Sequence, residues 1–326
     1  MLKKCSNPDC TAPKGLCATH ASPEYENCSN WKQKNTKSAI GSTKQRSSKS
    51  KELSWTGVEL QPTDIGIVSH RGKPSIIGII GAANAGKTSY LGMLYTLLYN
   101  GKRFKNWSFV GSYTLAGWEK LAMYLRLDPN GKVDFPEPTP SNPDFYCLLH
   151  LALRNGHDFY DLIFADTSGE VFTQWSKNVD DINVENARWV YKNSSSFIFF
   201  VDCEALIKNM GREKQRIVQL AAQVAKDLGG RPITIVWSKA DLINDIRENI
   251  KLAVERSLDN YFPEADVIEI SNYSKDDPDK LCHENNLNVT EFLLDKLNTP
   301  KKSNLTPDIG NTSDYFFRYK GSYGSK

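Results

Sequence analysis

No stretch of this 326-residue chain approaches the roughly 18–20 consecutive apolar residues that a membrane span needs. The longest candidates are the short runs Ile76–Ile80 and Phe197–Val201. The opening Met1-Leu-Lys-Lys-Cys5 holds no apolar signal core. A cytoplasmic protein without a membrane span is therefore expected. No internal repeat is visible, which argues against solenoids and propellers. Cysteine is scarce beyond residue 28, where only Cys147, Cys203 and Cys282 occur, while Cys5, Cys10, Cys17 and Cys28 crowd the start. In a reducing compartment such a cluster reads as metal ligands rather than disulfides. Lys32–Lys51 has seven basic residues, no acidic one and a single large aliphatic, Ile40. It cannot bury enough apolar surface to offset its chain entropy and is expected to be a disordered linker.

The chain does hold 40% apolar and 24% charged residues, a globular composition that excludes collagen-like, coiled-coil and wholly disordered classes. The net charge of +3 is unevenly spread. Residues 1–54 carry 10 Lys and Arg against 4 Asp and Glu, and the rest carries 31 against 34. The basic character belongs to the N-terminal arm. This arm is a candidate contact for nucleic acid or another acidic surface.

From Trp55 onward strands alternate with helices. Ser75–Ile80, Phe145–Leu153, Asp158–Phe164, Ser196–Val201, Pro232–Trp237 and Asp266–Ile270 read as strands. Lys87–Tyr99, Leu115–Leu127, Val184–Tyr191, Gln215–Leu228, Leu242–Tyr261 and Val289–Leu297 read as helices, the last capped by Asn288 and the fourth ended by Gly229-Gly230. Asn155-Gly156 is a hairpin signal, so one strand runs against the others. The expected fold is α/β and three-layered, a mostly parallel six-stranded sheet with one antiparallel strand and helices on both faces. The segment between the first helix and the second strand, about residues 100–144, is unusually long and carries the proline-rich Phe135–Pro140.

Gly81-Ala-Ala-Asn-Ala-Gly-Lys-Thr88 matches the phosphate-loop pattern G-x-x-x-x-G-K-[ST] and lies between a strand and a helix. There Gly81 and Gly86 permit the turn, and the amides from Asn84 and Ala85 through Ser89 face a phosphate at the helix N-terminus. Lys87 bridges the outer phosphates, and Thr88 offers a hydroxyl to Mg²⁺. Asp166-Thr-Ser-Gly169-Glu170 ends an apolar strand. Asp166 can hold a Mg²⁺-bound water, and the Gly169 N–H can meet a γ-phosphate. Thr139, before the next strand, is a candidate second Mg²⁺ ligand or a plain proline-flanked turn residue. Ser238-Lys239-Ala240-Asp241 follows another strand. A carboxylate at 241 can accept both N1–H and the 2-amino group of guanine, a pairing adenine lacks. Lys239 can lie along the base, and Ser271 could place a backbone N–H near guanine O6.

Together these boxes resemble the Ras-like, translation-factor-related class of P-loop GTPases over about residues 73–298, with Asp166–Gly169 looking like its switch box, Ser238–Asp241 like its guanine base box and Glu269–Asn272 like its last box. The long insert and the D-x-x-G-E element look most like the bacterial double-GTPase families associated with conflict and defence systems. The resemblance implies GTP and GDP as ligands, Mg²⁺, hydrolysis of the γ-phosphate, a switch function and a protein effector. It also exposes departures. Ser238 stands where this box usually carries Asn, Glu170 where relatives carry a water-orienting Gln, and Ala83 where an incoming arginine finger needs Gly. A non-hydrolysing scaffold and a P-loop ATPase are the alternatives.

Cys5-x4-Cys10-x6-Cys17-x2-His20 has the ligand types and spacing to close a tetrahedral zinc site, with Cys28 as an alternative fourth ligand. Metal would then supply the folding energy of so short a segment. The expected organisation is a zinc module over 1–30, a basic linker over 31–54, the GTPase domain over 55–299 and a polar tail over 300–326. Cys147 and Cys203 read as small core residues, His70 as a surface residue, His150 as lying on an exposed strand face, and Arg188 as a solvated helix residue.

Overall fold

The computed structural model describes residues 57–125, 136, 138–272 and 279–298, with Thr11, Cys28 and Asn30 nearer the start. The chain divides into two compact units, Met1–Leu53 and Ser54–Lys326. In the first, Cys28 is buried, and Cys5, Cys10, Cys17 and His20 lie outside the described residues. Among the described residues no helix is long and apolar enough to cross a membrane.

The second unit is built on a sheet of seven strands. In chain order they are β1 (Ser75–Ile80), β2 (Ser108–Gly111), β3 (Cys147–Asn155), β4 (Asp158–Asp166), β5 (Ser196–Asp202), β6 (Ile233–Ser238) and β7 (Asp266–Ile270). Their spatial order is β2-β3-β4-β1-β5-β6-β7. β4, β1, β5, β6 and β7 are parallel, and β3 runs antiparallel to both β4 and β2. One strand against the rest is what the hairpin implies, but the count is seven, not six. The added β2 is a four-residue, half-exposed edge strand inside the long insert, joined to β3 through an irregular register. It is too short and too exposed to carry a hydrophobic period.

The hairpin loop is Gly156-His157, with Gly156 at φ 59°. A positive φ at the first loop position is what a primed turn requires, and glycine supplies it without strain.

The helices are α1 (Ile65–Val68), α2 (Lys87–Tyr99), α3 (Leu115–Met123), α4 (Gly169–Trp175), α5 (Glu185–Asn193), α6 (Cys203–Lys226), α7 (Glu248–Tyr261) and α8 (Asn285–Asn298). Alternate residues of β1 divide between two cores. Ile76 and Ile80 pack with α4–α7, while Ile77 and Ile79 pack with α2, α3 and α8. Both faces of the sheet are thus covered, which is why its strands read as near-continuous apolar runs.

Several boundaries differ from the sequence reading. The helix expected over 242–261 is a 3-10 turn, Ala240–Asp245, broken by extended Ile246 before α7 begins. α6 starts twelve residues earlier than expected and bends at Met210, whose φ and ψ of 43° and −117° are non-helical. α8 starts at Asn285 after a wide helical turn, Asp279–Glu284, so Asn288 lies inside the helix and is not its cap. Gly229 and Gly230, at φ 60° and 69°, follow α6 as expected.

His150 departs most from expectation. It is 1% exposed, because β3 is covered on both faces and residues 112–118 close over the ring. Its Nδ1 accepts the Tyr113 N–H at 3.0 Å, and its Nε2 lies 3.0 Å from Asp161, which Arg71 also holds at 2.6 Å. His70 is exposed. Cys147 and Cys203 are buried. Arg188 pairs with Glu185 and the Asp181 carbonyl.

Candidate functional site

The C-terminal ends of β1, β4, β5 and β6, and the segment after β7, converge on one cavity of about 630 Å³. Open α/β sheets place ligands at this edge, where strand order reverses about the first strand. The cavity is lined by Ala83–Ser89, Thr139, Ser168–Glu170, Ser238, Lys239, Asp241 and Ser271. The phosphate-loop, switch and base boxes therefore come together. Of the residues expected at the site, Gly81 and Asp166 are not among those that line the cavity, and Asp166 is buried.

The loop between β1 and α2 is shaped by two glycines for different reasons. A Cβ on Gly81 would stand 2.7 Å from the Phe200 Cβ, so this glycine permits close approach to β5. Gly86 has φ 81° and starts α2 from the left-handed region. Asn84 also has positive φ, 61°, a conformation Asn tolerates better than most residues. The first amides of α2, those of Lys87, Thr88 and Ser89, have no partner within the helix, whereas the Tyr90 N–H bonds to Gly86. These donors and the helix's positive end face the cavity as an anion site.

Lys87 is 5% exposed and donates to the carbonyls of Gly81 (3.2 Å) and Ala82 (2.9 Å). Burial lowers its pKa, and Asp166 and Asp202 oppose that shift. Thr88 Oγ1 donates to Asp166 Oδ2 at 2.8 Å and lies 3.3 Å from Thr139 Oγ1, which is 3.4 Å from the same carboxylate oxygen. Burial raises the Asp166 pKa, and Lys87 and both hydroxyls work against it. Asp166 Oδ1 is buried without a hydrogen-bond partner. Three hard oxygen donors and an orphaned carboxylate oxygen are a donor set suited to Mg²⁺.

Gly169 starts α4 against the phosphate loop. A Cβ there would lie 2.1 Å from the Ala82 carbonyl carbon and 2.2 Å from the Ala83 nitrogen. Ser168 caps α4 by accepting the Glu170 N–H. Glu170 accepts from Ser141 at 2.7 Å, and Ser141 lies 3.3 Å from Ser168.

At the other end, Lys239 (φ 55°) donates to Asp202 at 2.8 Å and Glu204 at 2.9 Å. Burial opposes its charge, but the two carboxylates outweigh burial and raise its pKa. The Glu204 pKa falls to about 2, through hydrogen bonds from Lys208 and then Lys239. Asp202 also accepts the Ala205 N–H and so caps α6. Ser271 donates its hydroxyl to Asp241 Oδ1. Its backbone N–H goes to the Leu281 carbonyl at 3.2 Å, so it is not the free donor the sequence reading assigned to guanine O6. Ser238 is buried and donates to the Val201 carbonyl.

Sequence reasoning missed Ser141, Ser168, Asp202 and Glu204. Asp202 had a signal, an acid at the end of an apolar run, like Asp166. The others depend on how the insert and the strand ends fold together. Among the described residues no group of three or more His, Cys, Asp or Glu side chains could hold a metal ion.

A family model described as Double-GTPase 2 matches residues 75–297. Among curated proteins none matches. Solved structures similar to the chain include Era from Aquifex aeolicus bound to GDP.AlF4−, at 18% identity and a TM-score of 0.33, covering 60% of this chain and 50% of that one. Another is Roco2 RocCORdC from Methanosarcina barkeri bound to GDP, at 13% identity and a TM-score of 0.36, covering 69% and 48%. The chain thus spans about half the length of these two proteins.

Proposed function

As a member of the Double-GTPase 2 family this chain is a P-loop GTPase, and we propose that it binds GTP in the cavity at the sheet's C-terminal edge and hydrolyses it as a Mg²⁺-dependent switch. In this reading the first amides of α2 and the Lys87 ammonium hold the β- and γ-phosphates. Thr88, Thr139 and Asp166 would hold Mg²⁺, which supplies neutralising charge between phosphate oxygens. Asp241 accepts from N1–H and the 2-amino group of guanine. Ser271 orients that carboxylate, and the acids at 202 and 204 fix Lys239. The Gly169 N–H approaches the γ-phosphate from the switch side, where Thr139 also lies.

The observation that carries the reading is the meeting of Thr88, Thr139 and Asp166 within 3.4 Å, from three segments far apart in sequence. Calorimetric titration of GDP into wild type and Lys87→Ala tests it. The variant should lose measurable binding, and retained affinity would count against the phosphate-loop assignment.

A second reading, a nucleotide-dependent scaffold that turns over slowly, is favoured by Glu170. Ser141 holds its carboxylate at the γ-phosphate end, where an anion orients water poorly beside another anion. Single-turnover phosphate release separates the two. For the remainder of the chain we propose zinc binding by Cys5, Cys10, Cys17 and His20, with Cys28 as the alternative ligand, and a basic tether over 31–54. Ligand spacing and the charge imbalance support this organisation.

A further inference from the structure

Thr88 and Asp166 are fixed by α2 and β4, but Thr139, the third member of that group, lies on no strand or helix. It comes from the far end of the long insert. Directly after it the chain makes a turn. The Phe145 N–H donates to the Asn142 carbonyl at 3.0 Å, and the Asp144 N–H donates to Asn142 Oδ1 at 3.0 Å. This turn is held by a side chain from another element. Asn186, in the first turn of α5, is fully buried, and its Nδ2 donates to the carbonyls of Asn142 (3.1 Å) and Phe145 (3.2 Å). Both hydrogens of the amide thus go to the two ends of the turn. Next along the chain, the Tyr146 ring packs edge-on against Trp189 of the same helix, with centroids 5.5 Å apart.

The other buried residues of α5, Ala187, Val190 and Tyr191, pack in the core. The buried amide among them is directed to the insert. From its clamp the chain runs back through Ser141, whose hydroxyl donates to Glu170 at 2.7 Å, to Thr139 beside Thr88 and Asp166. A loose segment would lose conformational entropy, residue by residue, each time Thr139 engaged. A turn clamped beforehand has already lost it.

We propose that Asn186 is a positioning residue for the metal corner of the cavity. It holds the turn 142–145 on α5 whichever nucleotide is bound, and so delivers Thr139 to Asp166 from a fixed anchor. It touches neither nucleotide nor metal. The inference rests on the reading of Thr139 as a ligand at the γ-phosphate end, so its effect falls on the triphosphate and spares the diphosphate.

The test uses the full chain with Mg²⁺ and equilibrium titration of GDP and of the β,γ-imido analogue of GTP, which resists hydrolysis. Asn186→Ala removes both donors and adds no charge. It should weaken the analogue roughly three- to tenfold, the worth of about one neutral hydrogen bond. GDP should change less than about twofold on the same basis. Equal losses on both nucleotides, as from a general loosening of the fold, or no loss on the analogue would overturn the proposal. Thr139→Ala separates the layers. If it weakens the analogue relative to GDP, the reading of Thr139 stands. Adding Asn186→Ala to it should then change the analogue less than about twofold further, because the two residues act through one contact, and fully additive losses would overturn the proposal. If Thr139→Ala leaves the ratio of the two affinities unchanged, the reading of Thr139 falls and the proposal with it. Hydrogen exchange on the unaltered chain gives a readout that does not depend on how well a variant folds. The amides of Asp144 and Phe145 should each exchange at rates within about threefold between the GDP-bound and analogue-bound states. A larger difference would mean that the turn is not held independently of the nucleotide, and would also overturn the proposal.

Discussion

Gly169 and Ala82 are in backbone contact. The start of α4 sits so near the phosphate loop that a side chain at 169 would lie 2.1 Å from the Ala82 carbonyl carbon. Switch segment and phosphate loop thus share one packed surface, and a move of either disturbs the other.

Gly169→Ala should therefore force α4 away from the loop. The obstacle is backbone rather than a flexible side-chain end, so the cost is expected to be about 1–3 kcal/mol. Urea denaturation should show a lower midpoint at unchanged slope. Phosphate release should fall together with stability, because the Gly169 N–H moves with the helix.

His150 gives a pH dependence. Its pKa is lowered, first by burial, with Arg71 adding to the effect and Asp161 opposing it. Its Nδ1 is an acceptor for the Tyr113 N–H, a role that protonation abolishes. The unfolded chain takes up a proton near pH 6.5 that the fold resists, so stability rises with pH across this window and falls as pH drops below it. Melting temperature should decline between about pH 7 and pH 5. His150→Gln should melt lower at neutral pH but show a flatter profile, and an unchanged slope would count against His150 as its source.

Glu170→Gln keeps an oxygen to accept the Ser141 hydroxyl and removes a negative charge from the γ-phosphate end. GTP affinity relative to GDP should rise about three- to tenfold, since one like-charge repulsion near a protein surface is relieved. If turnover rises with it, the carboxylate is a brake on hydrolysis. Paired titrations and single-turnover phosphate release check both.

Much of this was legible in the sequence because it is local. The phosphate loop needs a strand, a glycine turn and a helix in sequence, and Gly81–Thr88 with its flanks displays them. Apolar runs marked six strands, most plainly β1, β5 and β6, which are parallel, buried on both faces and apolar almost throughout. The hairpin announced itself through Gly156. What escaped is non-local. β2 exists because β3 offers it an edge, a fact absent from residues 108–111. His150 looked exposed because alternation along one strand says nothing of residues 112–118 covering it. The Ser141–Glu170 contact and the clasp of Asp202 and Glu204 on Lys239 arise where distant segments meet. The early start of α6 was hidden by Met210 and Gly211, which interrupt the helical pattern.

The central claim, a guanine nucleotide read by the carboxylate at 241, is tested most directly by replacing that carboxylate with an amide. Asp241→Asn should bind GTP at least tenfold more weakly, since it loses charge-assisted hydrogen bonds, and should gain affinity for XTP, whose 2-oxo group accepts where guanine donates. Unchanged GTP affinity and no gain for XTP, measured by equilibrium titration on folded protein, would contradict the account.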